Sequence, residues 1–210
     1  MEKKFILTDK FVINSFGIKL FQIKCTKSFK YAQKGDFGGY VEKEGNLDQE
    51  NDAWVFGNAR VFGNARVSSN ARVSGDAWVS DNARVSGNAW VSDNAWVSSN
   101  AWVSGDALVS GYAWVSSNAR VSGNARVSGD ADIENDNEHC GFDGFGSCNR
   151  HTHAYMTKEK KVEIICGCFR GSIEEFEKKV EETHSGTVYE KQYKSIINVI
   201  KIKFGLTDFT

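Results

Sequence analysis

Asp52-Ala-Trp-Val-Phe-Gly57, Asn58-Ala-Arg-Val-Phe-Gly63, Asn64-Ala-Arg-Val-Ser-Ser69 and Asn70-Ala-Arg-Val-Ser-Gly75 open a run of fourteen hexads that reaches Asn135 without an insertion. Alanine holds the second position of every hexad, Ala53 to Ala131. Valine holds the fourth, Val55 to Val127, with Ile133 in its place in the last. A short fixed period over so many repeats specifies a solenoid, in which each unit buries its apolar face only against its neighbours.

The spacing within a hexad sets the geometry. Ala and Val lie two apart, so on an extended strand both point to one side and the residue between them points to the other. After Val come, in nearly every repeat, Ser or Phe, then Gly, Ser or Asp, then Asn or Asp. Gly and Asn tolerate positive φ and supply a bend, which no helix would need every six residues. Three equal sides and three bends close a triangular turn of eighteen residues. The pattern of an aliphatic residue with a small one four positions on, Val55 with Ala59 and Val61 with Ala65 and so forth, resembles the hexapeptide-repeat left-handed parallel β-helix family. The left hand is an implication of that resemblance, because parallel crossovers in general wind to the right.

The expected fold is therefore mostly β: residues 52–135 as the coil, residues 1–51 as an N-terminal β cap, residues 136–150 as an irregular linker, and residues 151–210 as a small α+β module. Fourteen hexads make between four and five turns, roughly 22 Å tall at about 4.8 Å per strand. In the cap, Phe5-Ile-Leu, Phe11-Val-Ile and Ile18 to Ile23 read as strands around a turn at Ser15-Phe16-Gly17, and Gly35 to Val41 as a bend onto the coil. In the module, Thr152–Met156 and Val162–Phe169 pair as a hairpin. Ser172 with Glu175 makes a capping box for a helix burying Ile173, Phe176 and Val180. A second helix, about Tyr189 to Phe204, buries Tyr193, Ile196, Ile197 and Ile200.

Composition narrows the function classes. The net charge of −1 excludes a general binder of long nucleic acid. Proline is absent, as suits a ladder in which each lost N–H would remove a bond. The apolar run at the N-terminus is too short for a signal peptide and no segment is a membrane span, which points to a cytoplasmic protein. The five cysteines fit reduced thiols there. Two flanking stretches, Gly35-Asp-Phe-Gly-Gly-Tyr-Val-Glu-Lys-Glu-Gly-Asn-Leu and Cys166-Gly-Cys-Phe-Arg-Gly-Ser-Ile-Glu-Glu-Phe-Glu followed by Thr183-His184, are similar to a group of phage and prophage-type bacterial proteins. That resemblance implies a setting in a bacterium or phage-infected cell and carries no mechanism.

Chemistry on the coil resides in the outward position between Ala and Val. Stacking every eighteen residues sorts it into three columns: Trp54, Arg72, Trp90, Leu108, Arg126; Arg60, Trp78, Trp96, Trp114, Asp132; and Arg66, Arg84, Trp102, Arg120. The resemblance implies a homotrimer, and Trp78, Trp96 and Trp114 are the expected interface, an aromatic ladder too apolar to stay wet. Arg66, Arg84, Trp102 and Arg120 are the expected ligand site, since guanidinium groups fork onto phosphate or carboxylate and indole stacks on planar rings. Ice binding is disfavoured by such bulky, mixed columns.

Hexapeptide-repeat acyltransferases place a basic histidine on the coil or on a loop interrupting it. Here residues 53–133 contain none, and His139, His151, His153 and His184 all follow the repeats. No catalytic residue, cofactor or metal is expected: the set His139, Cys140, Cys148, His151, His153, Cys166 and Cys168 lacks zinc-ligand spacing, and the acidic run from Asp132 to Glu138 lacks a calcium-loop pattern. His184 reads as a helix cap. The resulting expectation is a non-enzymatic protein that sequesters a small nucleotide-like anion in grooves between subunits. A structural or assembly protein is the first alternative and an acyltransferase the second.

Overall fold

The computed structural model describes residues 2–206. Each hexad contributes one two-residue strand made of the outward residue and the Val or Ile after it, fourteen in all from β4 (Trp54–Val55) to β17 (Asp132–Ile133). Strands eighteen residues apart pair in parallel and in register, so Trp78, Trp96 and Trp114 are direct neighbours, as are Arg66, Arg84, Trp102 and Arg120. Three parallel sheets result, one per side of the coil. Every Ala and every Val or Ile of the repeat is buried in one continuous core.

The corners show how the six-residue side is turned. The residue in the sixth position has positive φ in every hexad through Gly129, whether glycine or not; Ser69, Asp81, Asp93, Ser99 and Ser117 adopt it beside the glycines. Gly75 is needed for space as well, because a Cβ there would stand 2.8 Å from the backbone nitrogen of Asp93 one turn on. The two corner aspartates gain a partner: Asp81 Oδ2 accepts from Ser99 N–H at 3.0 Å and Asp93 Oδ2 from Gly111 N–H at 3.1 Å. Asparagine, expected to share the left-handed corner, does not take positive φ in any hexad. Its side-chain amide instead builds ladders along the coil, Asn64 to Asn82 to Asn100 to Asn118, at 3.2 to 3.4 Å.

Both coil ends would expose unpaired backbone groups, and side chains take up those bonds. At the start, β1 (Phe5–Ile13), β2 (Lys19–Cys25) and β3 (Phe37–Val41) form an antiparallel cap whose last strand pairs in parallel with the coil, Tyr40 opposite Arg60. Parallel pairing thus starts before the first regular hexad. Buried Lys4 donates to the carbonyls of Asn51 and Ala53, and Asn46 Nδ2 to those of Gly63 and Ala65. Phe5 and Phe29 cover Trp54, which is only 1% exposed despite its outward position.

At the other end, residues 136–150 are not an irregular linker. They contain β18 (His139–Phe145), which joins β19 (Arg150–Met156), β20 (Val162–Cys166) and β21 (Phe169–Ser172) in a four-stranded antiparallel sheet. Glycines and polar residues hid the strand. His139, Gly141 and Asp143 share one face, while Cys140, Phe142 and Phe145 pack on the module's core. That sheet and the turn before it substitute for a further turn of the coil: Asp136 Oδ1 in the turn accepts from Arg120 N–H at 2.8 Å, and from the sheet His153 Nδ1 bonds the carbonyl of Arg126 at 2.8 Å and Tyr155 Oη donates to that of Ser128 at 3.2 Å. Helix α1 (Ile173–His184) begins at the expected Ser172 and Glu175 capping box, and α2 (Val188–Lys203) packs beside it. Their buried residues are those the helical period selects.

Candidate functional site

The three columns share a sequence pattern but have different surroundings. On the first, Arg72 lies between rings, its Cζ 4.4 Å from the Trp90 centroid and 5.5 Å from that of Tyr31. On the second, Arg60 sits 5.1 Å from Trp78; Trp78 meets Trp96 edge-on at 5.7 Å, and Trp96 stacks on Trp114 at 5.2 Å with the rings 3° apart. The ladder expected from the sequence is present, but part of it is covered within the chain. Phe16, at the tip between β1 and β2, packs on Phe62, Trp78 and Trp96, leaving Trp114 as its exposed end.

The third column is open. Arg66, Arg84, Trp102 and Arg120 are all exposed, Trp102 by 43%. Among the described residues none of these three arginines takes part in a salt bridge. Arg66, Arg84 and Trp102 line a shallow cavity of about 300 Å³ together with Ser68 and Ser86. Arg120 pairs with Trp102 on the next rung and does not line it. Arg66 and Arg84 stand on adjacent rungs, and an anion between their guanidinium groups would offset the repulsion of the two like charges.

The indole of Trp102 is also held. Its Nε1–H donates to Ser86 Oγ at 3.2 Å, sixteen residues earlier, and the same bond recurs from Trp90 to Ser74, Trp96 to Ser80 and Trp114 to Ser98. The serine after valine is therefore a tryptophan anchor for the next rung. A Trp sixteen residues after a Ser was the sequence signal for it, invisible until the eighteen-residue turn is imposed.

The histidines and cysteines divide into two groups. His139 on β18 and His151 and His153 on β19 face the end of the coil. His139 Nδ1 is 3.1 Å from His153 Nε2, and His151 Nδ1 is 2.8 Å from Asp143 Oδ1. Burial lowers the pKa of His153 to about 3 and that of His139 below its ordinary value. The Nε2 atoms of His139 and His151 are buried without a hydrogen-bond partner, the former 4.0 Å from Asp136 Oδ1. Cys148, Cys166 and Cys168 surround a separate cavity with His184. Among the described residues no three His, Cys, Asp or Glu side chains are grouped to hold a metal ion. No described helix is long and apolar enough to cross a membrane.

The profile of the YdcK Beta solenoid repeat family matches residues 53–69, 65–81, 77–93, 83–99 and 119–131. The chain is thus similar to that family over part of its coil, and it is a repeat β-solenoid protein by sequence as well as by fold. No curated protein matches the chain.

Proposed function

We propose that this is a non-enzymatic binding protein that holds a small planar anion, nucleotide-like in its chemistry, on the third face of the coil. The observation that carries this reading is the cavity of Arg66, Arg84 and Trp102, where exposed guanidinium groups without carboxylate partners adjoin an indole fixed by Ser86. The guanidinium forks suit phosphate oxygens, and the indole suits a base, at about 1–3 kcal/mol per stacked ring. Arg120, one rung beyond Trp102, extends the positive column for a longer ligand.

In this proposal the protein is a homotrimer that meets its copies through Trp114 and the neighbouring Trp78 and Trp96, so the ligand sits in the groove beside the contact. Sequestration needs no chemical step. The coil offers no histidine to act as a base, and the rings nearest to it hold the sheet edge closed. The likeness to phage and prophage-type proteins supports only the setting, a bacterium or phage-infected cell, in which such a protein would act as a cytoplasmic sink for a host signalling nucleotide. A structural or assembly role is favoured by one observation, the aromatic strip from Phe16 to Trp114. Native mass spectrometry of protein purified without denaturation tests the two together. A trimer carrying a small anion supports sequestration, whereas a larger assembly without ligand supports the structural role.

A further inference from the structure

The C-terminal sheet carries a second cluster that shares no residue with the Arg66–Arg84–Trp102 cavity. Cys148 lies in the turn between β18 and β19, and Cys168 in the turn between β20 and β21. Both turns are at the end of the sheet where β19 begins and β20 stops. Thr152 faces Cys166 across those strands, so Arg150, two residues earlier, stands level with Cys168, two residues later. The Arg150 side chain crosses the turn over Gly167, in space that any Cβ would fill. Its guanidinium thus lies over the turn that carries Cys168, and Arg150, Cys148 and Cys168 line one cavity.

Packing accounts for two of the other cysteines but not for these. Cys25 is buried in the coil core, and Cys166 is buried against Thr152 Oγ1 at 3.3 Å and Tyr193 Oη at 3.7 Å. Cys148 and Cys168 are exposed. Beside them opens a cavity of about 180 Å³ with an aromatic floor of Phe169, Phe176 and Tyr193 and with Lys179 on its wall. Two exposed thiols that line one cavity beside a guanidinium are accessible to a small substrate and can act as a redox pair.

We propose that Cys148 and Cys168 form a dithiol couple that reduces the disulfides of small anionic thiols, with Arg150 stabilising the attacking thiolate and Arg150 and Lys179 attracting the substrate. One cysteine, its proton given up to water, attacks a sulfur of the substrate disulfide. The S–S bond breaks, one thiolate leaves and takes a proton from solvent, and a mixed disulfide remains. The other cysteine then attacks the protein sulfur of that bond and expels the second thiolate. The substrate disulfide gains two electrons, and the couple loses two as it closes the Cys148–Cys168 bond across the two turns.

The test is incubation of the full chain with glutathione disulfide at neutral pH, alkylation of the remaining thiols and peptide mapping by mass spectrometry. The expected product is a Cys148–Cys168 cross-link with two equivalents of glutathione released. Cys148→Ser should instead stop at a stable mixed disulfide on Cys168. Arg150→Gln, checked for native circular dichroism, should react about tenfold more slowly. Glutathione spread over several cysteines with no internal cross-link would overturn the proposal, as would an Arg150→Gln chain that reacts at the wild-type rate.

Discussion

The closing of the coil by His153 makes stability depend on pH in a way that can be computed. The ring is 1% exposed and bonded to the Arg126 carbonyl through Nδ1, which leaves Nε2 as the acceptor facing His139 Nδ1. A second proton has nowhere to go, and burial holds the pKa at about 3 against 6.5 for the free side chain. The folded state therefore binds fewer protons than the unfolded state between those values. The stabilisation is complete above pH 6.5 and is lost progressively as pH falls towards 3. At pH 5 the unfolded chain gains 1.5 pH units of proton binding that the folded chain lacks, about 2 kcal/mol at 1.36 kcal/mol per unit. His139, shifted in the same direction by its own burial, adds to the loss. The perturbation is His153→Gln, whose amide can donate to the same carbonyl but does not titrate. Urea unfolding at pH 7.5 and pH 5.0 should show the wild type losing about 2 kcal/mol more than the variant on acidification. An equal loss in both would refute the assignment of His153 as a neutral edge cap.

Three further outcomes follow from the coil. Val91→Asp places a charge in the Ala/Val core, where Val91 is fully buried, and should abolish the cooperative melt, while Arg84→Ala on the open face should change stability by under about 0.5 kcal/mol; similar melts would contradict the inside and outside faces. If the proposed trimer meets through this face, replacing Trp78, Trp96 and Trp114 together with Ser should lower the oligomeric mass by light scattering with circular dichroism preserved; an unchanged mass would remove the ladder from the interface. Ser86→Ala releases the indole of Trp102 and should cost under about 1 kcal/mol of stability while weakening nucleotide affinity severalfold in a fluorescence titration; an unchanged affinity would show that the bond does not position the ring.

Much of the coil was legible because its period is exact: Ala and Val spaced by two fixed the buried side, and the eighteen-residue turn fixed which outward residues are neighbours, down to Trp96 over Trp114. The two helices were legible for a similar reason, through Ser172, Glu175 and a clear apolar stripe. What escaped was the detail that depends on stacking. Asn64 and Asn82 bond across turns instead of bending the chain, and Ser86 anchors Trp102 over a separation of sixteen. β18 escaped because its coil-facing side is His139, Gly141 and Asp143, which alternate as a strand should but without apolar character. The site was half legible. The sequence placed Arg66, Arg84, Trp102 and Arg120 in one column, but not that Phe16 partly covers the Trp ladder or that Arg120 lies outside the cavity.

The central claim is that the third face binds a planar anion through charge and stacking. Isothermal titration of a panel of mono- and dinucleotides into the wild type, Arg84→Ser and Trp102→Ser, at low and high salt, tests it most directly. The account predicts saturable binding of at least one nucleotide, affinity that falls as salt rises, a loss of tenfold or more (about 1.4 kcal/mol) in each variant, and recovery of the ligand unchanged after heating. Binding that persists undiminished in both variants, or a ligand returned chemically altered, would contradict it.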